Sequence, residues 1–299
     1  MNKIAFLFLI YDMINHEIIW YRYFQGIHKN RYNIYIHYKT DTTLEFFNEY
    51  KIDNRKIINT KYADISIVKA QNILIKEALK DPKNTHFIFL SGSCIPLKSF
   101  NYLYDHLEPK HSYFHVADPD DCFPDCKVAL QYIPKKHIKK ASQWCILNRK
   151  HGELLIDGAN GANGANNYLL WFKDTYAPDE LCYISYLSYV YNQSLDDEII
   201  ATSYHSPPEV ATTFANWEDM NYKYVSEREL KNYKSINEEE LVHLLRSESL
   251  FGRKFKPACY YSLNKQIYYD VITWVFIEIN IGITFYKYLY SFLILWVIL

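Results

Sequence analysis

Apolar residues follow two rhythms along this chain. Residues 4–10 form an unbroken apolar run of strand length, rich in Ile and Phe, which predicts a first strand covered on both faces. Residues 17–25 have helical character, and Tyr32-Asn-Ile-Tyr-Ile-His37 returns to strand character. Asp64 is placed to cap a helix over residues 65–80, where Ile65, Val68, Asn72, Ile75 and Leu79 track one face and Asp81-Pro82 ends the run. Residues 86–90 make a third buried strand, which breaks at Ser91-Gly-Ser-Cys-Ile-Pro96. A strand–helix–strand–helix–strand order predicts an α/β fold with a mixed, mostly parallel central sheet flanked by helices. Farther on, residues 113–117 are apolar, Lys140 opens a polar turn leading into a strand, and residues 149–156 predict a helix. Asn237 and Glu240 have capping-box spacing ahead of a helix over 241–246.

Two segments break the pattern. Residues 158–167 repeat Gly-Ala-Asn, and Gly and Asn tolerate positive φ, so this segment reads as a low-complexity loop insertion. With no strand directly before it and no basic residue within it, it is not a phosphate cradle. The other segment, residues 263–299, is strongly apolar and follows an expected folded domain over 1–262. Glu278 and Lys287 interrupt it, and its charge-free part, 288–299, is shorter than the roughly 20 residues of a spanning helix. The expectation is a membrane-associated tail with Lys287 snorkelling, the alternative a core helix. No N-terminal signal or anchor is recognised, so the compartment stays open between membrane-associated and freely soluble.

Composition narrows the partners. The chain has 299 residues and 49% hydrophobic content, enough for one large core or two small ones. A net charge of −1 gives no global electrostatic case for nucleic acid, so an anionic ligand needs a local basic cluster. The six cysteines show no zinc-ligand spacing, Cys122 and Cys126 included, and read as buried thiols with room for one bridge.

Candidate chemistry gathers at four places. Pro178-Asp179-Glu180 carries two carboxylates. The proline biases Ala177 to extended geometry, and Asp179 reads either as an N-cap for the following helix or as part of an acid–base site. The turn Ser91-Gly92-Ser93 ends the third strand, where open α/β sheets bind ligands, and it has no carboxylates to bridge a metal and a diphosphate. Asp118-Pro119-Asp120-Asp121 is the metal candidate, set against an acidic loop that contacts sugar hydroxyls or only water. Phe251-Gly-Arg-Lys-Phe-Lys256 packs three cations between aromatics and reads as an anion site or a solvated basic turn. Trp144 suits either sugar stacking or core packing.

Taken in order, several blocks resemble the core-2/I-branching β-1,6-N-acetylglucosaminyltransferase family, most closely its plant-type members. They are Trp20-Tyr-Arg-Tyr-Phe-Gln-Gly26, Tyr32 to His37, Ala78-Leu-Lys-Asp-Pro82, Phe87 to Leu97, Lys140-Ala-Ser-Gln-Trp144, Asp174 to Glu180 and Leu250-Phe-Gly-Arg-Lys-Phe255. The resemblance implies a GT-A-like, Rossmann-type nucleotide-sugar transferase fold and inverting transfer from a UDP-sugar to a glycan hydroxyl. It also implies no obligatory metal and no other cofactor. By the same resemblance Glu180 is the catalytic base, and Lys254 with Arg253 holds the diphosphate, Lys234 being the nearest counterpart of a second phosphate-binding cation. Leu7, Leu9, His37 and Tyr62 fall on the nucleoside side; Asp118, Trp144 and Asp179 fall on the acceptor side. The sequence departs from the plant-type pattern at Ala141, commonly Gly, and at Leu181, often His or another polar residue, which alters the expected acceptor pocket. Two rival classes remain: a metal-dependent glycosyltransferase using Asp118 and Asp120, and an inactive carbohydrate-binding or membrane-associated protein.

Overall fold

The computed structural model describes residues 2–117, 126–161, 167–192, 197–203, 212–215, 230–263 and 266–268. Among these, β1 (Lys3–Ile10) lies between β2 (Tyr32–Tyr38) and β3 (Asn84–Ser91) and is parallel to both. Past β3 the sheet continues antiparallel through β7 (Ile146–Asn148), β5 (Ser112–Ala117) and β6 (Lys140–Ala141). β8 (Ile199–Ser203) then pairs parallel with β5. The long ladders are the parallel ones, so the expected mixed, mostly parallel sheet is what forms.

The continuous apolar run of β1 has a direct cause. Ile4, Phe6, Phe8 and Ile10 face one layer, Ala5 and Leu7 the other, and all are buried. The first layer is α1 (Glu17–Phe24) with α3 (Phe100–His106), where Phe6 meets Phe24 edge-on at 5.0 Å and Phe8 meets Trp20 at 5.1 Å. The second is α2 (Ile65–Leu79), α4 (Arg149–Asn160), the short α5 (Tyr168–Trp171) and α6 (Cys182–Tyr191). Each fully buried Phe or Leu contributes roughly 1.5–3 kcal/mol, so covering both faces holds this sheet more firmly than one face would. The expected Asp64 cap forms, with the Ser66 N–H donating to Oδ1 at 2.9 Å.

A third apolar cluster carries the C-terminal part. Here α7 (Glu238–Arg246) packs against β10 (Tyr233–Asn237) and β12 (Phe255–Leu263). The capping box is complete: Glu240 N–H donates to Asn237 Oδ1 at 2.8 Å, and Asn237 N–H to Glu240 Oε2 at 3.0 Å. Of most consequence is a small sheet in which β11 (Phe251–Arg253) joins β9 (Thr213–Ala215) to β4 (Ile95–Pro96). Because β4 follows directly on β3, this pairing brings the basic segment to the end of the central sheet.

Four expectations need correction. α4 runs on to Asn160, so the first Gly-Ala-Asn unit is helical; a Cβ on Gly158 would overlap the Tyr186 ring, which makes this glycine a packing requirement. Folded structure passes residue 262, since β13 (Gln266–Tyr268) pairs with β12. Ala177 is left-handed, φ 49°, where the following proline favoured an extended backbone; its N–H donates to Ala63 O at 3.3 Å. Asp179 is no cap: it lies inside the turn Pro178–Glu180, and α6 starts after Leu181 without a side-chain cap. Cys94, Cys145, Cys182 and Cys259 are buried free thiols, Cys126 is buried as well, and Cys122 lies outside the described residues. Most of the apolar tail lies outside them too, and among those described no helix is long and apolar enough to cross a membrane.

Candidate active site

Register builds the site's floor. At the carboxyl ends of the parallel strands, Leu9 of β1 stands beside His37 on β2 and Ser91 on β3, a row across the sheet where ligands of open α/β folds bind. Leu7 is fully buried below it and Leu9 is partly buried. His37 is buried as well: its Nε2 accepts the Ile58 N–H at 3.2 Å, which places the ring proton on Nδ1, and Nδ1 has no partner among the described residues. Burial lowers its pKa to about 4, so the ring is neutral.

The turn after β3 is locked in place. The Trp20 indole N–H donates to Cys94 O at 2.9 Å, and Gly92 O accepts from the Asn15 N–H at 2.7 Å. A Cβ at Gly92 would overlap the Met13 carbonyl, so backbone passes too close for any other residue. Ser91 Oγ and Ser93 Oγ are 3.0 Å apart, and Ser93 O accepts from the Phe255 N–H at 3.0 Å. Asn15 Nδ2 donates to Phe255 O at 2.6 Å, and His16 Nε2 lies 2.9 Å from Lys256 O. The backbone of the basic segment is therefore clamped against the strand end from two sides. Lys254 is half-buried there, its pKa lowered first by burial and then by Arg253 and Lys256.

The carboxylates come from the other direction. The turn Pro178–Glu180 packs against α2 and leads into α6. Glu180 Oε2 lies 3.2 Å from Lys140 Nζ, a pair with both side chains about one-quarter exposed. Asp179 is buried more deeply, and its Oδ1 has no partner among the described residues. Its pKa rises to about 7, chiefly because burial penalises the charge and then because Glu180 repels it; its own backbone N–H, Arg253 and Lys140 act in the opposite direction. Arg253 thus reaches Asp179 electrostatically, and its guanidinium lies over the Trp144 ring, 4.6 Å from the centroid.

The structure therefore brings together Glu180, Asp179, Arg253 and Trp144, with Lys254 next in the chain to Arg253. Trp144 is 7% exposed and has Arg253 over its ring. Tyr62 is exposed at the rim, hydrogen-bonded to Tyr176 and within electrostatic reach of both carboxylates. Lys234 is exposed on the face of β10 opposite Tyr233, whose N–H donates to Lys254 O at 2.8 Å. Asp118 and Asp120 lie outside the described residues, and no group of three metal-ligating side chains occurs among those described. Sequence reasoning missed the role of Lys140; its signal was its place at the head of the Lys140–Trp144 block, but its pairing with Glu180 depends on how β6 and the turn before α6 are brought together. A separate cleft of about 540 Å³, walled by Lys136, His137, Tyr186, Tyr189 and Asn192, contains none of these groups.

Basic and acidic groups thus meet beyond the strand ends of a mixed α/β sheet. The chain belongs to the Core-2/I-Branching enzyme family, whose profile matches residues 4–244. It is 30% identical over 168 residues to Glycosyltransferase BC10 of Oryza sativa subsp. japonica; the match covers 52% of this chain and 40% of the rice protein, so the chain spans less than half of that relative. Solved structures with some likeness include the bifunctional glycosyltransferase WbbM (TM-score 0.39, 11% identity, 92% of this chain and 50% of that one). Another is a glycosyltransferase involved in glycosylation of the major capsid of PBCV-1 (TM-score 0.36, 10% identity, 83% and 91%). Likeness this distant carries no argument about the site.

Proposed function

We propose that this chain transfers a sugar, N-acetylglucosamine or a related one, from a UDP-sugar to a hydroxyl of a glycan acceptor, with inversion and without a divalent ion. The acceptor oxygen attacks the anomeric carbon as the bond to UDP breaks; Glu180 takes the hydroxyl proton, and UDP leaves with the bonding electrons. Base catalysis of this kind contributes about 10²–10⁴ in rate. Arg253 and Lys254 offset the charge developing on the diphosphate, as fixed cations placed before the reaction do at low cost. The supporting observation is that Arg253 lies within electrostatic reach of the carboxylate turn while Phe255, two residues on, is bonded to Ser93 at the end of β3. On this reading Leu9 and the buried Nδ1–H of His37 face the nucleoside side, with Leu7 beneath and Tyr62 at the rim. Lys234 is a second cation for phosphate, Asp118 and Asp179 serve the acceptor side, and any membrane contact belongs to the apolar tail.

UDP release measured over a panel of UDP-sugars and glycan acceptors, with and without EDTA, tests this. Release with at least one donor, unchanged by EDTA, is expected. Loss in EDTA restored by manganese would replace the lysine–arginine clamp with Asp118 and Asp120, and no release with any donor would leave a carbohydrate-binding protein.

A further inference from the structure

The transfer chemistry leaves Asp179 without an acid–base task, although its Oδ1 is shut away from solvent with no partner among the described residues. We propose that Asp179 takes up a proton when the diphosphate of the nucleotide binds, so that donor binding and the charge of this carboxyl are linked. The inference rests on the proposed nucleotide-sugar function and goes beyond it by assigning Asp179 a positioning role.

The argument starts from the groups that face Asp179. From its own turn comes Glu180, held by Lys140 of β6 at 3.2 Å. From β11 comes Arg253, over the Trp144 ring. From α6 come Cys182 and Tyr183, both kept neutral by burial. α2 packs on the turn as well. Tyr62, coupled to Tyr176, lies above. Besides the Asp179 backbone N–H, Arg253 and Lys140 favour an ionised Asp179, and Lys140 is also paired with Glu180.

A diphosphate bound by Arg253 and Lys254 brings negative charge onto the cation that holds Asp179 ionised. Asp179 then meets a like charge from the ligand, a like charge from Glu180, and no hydrogen bond on Oδ1. Binding an anion beside a buried carboxyl must raise that carboxyl's proton affinity, and by reciprocity its protonation favours the anion. The result is one negative charge on the pair, on Glu180, and less competition from Asp179 for the charge of Arg253. Burial and Glu180 push the Asp179 carboxyl up to about 7, so a further rise on binding is read as proton uptake near neutral pH.

Calorimetric titration of the full chain with UDP, at pH 7 in two buffers of different ionisation enthalpy, reads the protons taken up. Wild type should take up roughly half a proton more per UDP than Asp179→Asn, the difference fading towards pH 5. The ionisation of UDP's own terminal phosphate, near pH 6, is common to both and subtracts out. Glu180→Gln removes a repelling charge and should shift the pH of greatest uptake downward, which keeps the test intact should Asp179→Asn fail to fold. Equal proton counts in wild type and Asp179→Asn, or an unmoved maximum in Glu180→Gln, overturn the linkage. UDP bound without extra proton uptake sinks the linkage alone; no UDP binding sinks the function reading with it.

Discussion

At the donor end, His37, Leu9 and Ser91 stand in one row because three parallel strands are in register, and apolar layers cover both faces of those strands. At the carboxylate end, Asp179 and Glu180 hang on a three-residue turn that follows a left-handed alanine and is bonded back to a second left-handed alanine, Ala63. A left-handed non-glycine residue costs roughly 1–2 kcal/mol, so this turn persists only because its surroundings over-determine it. The contrast assigns different sensitivities to the two ends. Backbone geometry carries the donor end, where side chains such as Leu7 simply fill the core. Charge carries the carboxylate end, where the proposed role of Glu180 depends on one ionised oxygen more than on the backbone.

The largest expected effect tests the carboxylate end. Glu180→Gln should lower the turnover number by about 10²–10⁴ while the Kd for UDP stays within a few-fold, because the base is lost and the phosphate clamp is not. Transfer within tenfold of wild type would remove the base from this turn. Next is the response of stability to pH. The folded pKa of Asp179, about 7, exceeds its ordinary 3.8, so the unfolded chain ionises first as pH rises and the contribution from this carboxyl is full below about pH 4 and gone above about pH 7. Asp179→Asn lacks that decline, so its stability relative to wild type should rise by about 3 kcal/mol from pH 4 to pH 8 in urea unfolding. Parallel curves for the two proteins would mean that Asp179 is already ionised in the fold. The smallest effect probes the donor end. Gly92→Ala forces a methyl group against the Met13 carbonyl and should cost about 1–3 kcal/mol, read as a lower urea midpoint with an unchanged slope. A neutral outcome would show that the strand end yields more easily than its register implies.

Local order along the chain was enough for the elements and for the class. The unbroken run of β1, the Asp64 cap and the Asn237–Glu240 box each follow from interactions within a few residues, and each forms as those interactions dictate. The family blocks, read in order, also pointed to Glu180 and the basic segment. What folding alone could decide were meetings between residues far apart in the chain. Lys140 pairs with Glu180 across forty positions, Arg253 covers Trp144 and reaches Asp179, and position 158 takes glycine because Tyr186 leaves no room for a side chain. The physical reason is range: caps and alternation act over one turn or one strand, whereas a carboxyl's charge state depends on everything packed around it, and that packing exists only once the sheet has brought its strand ends together.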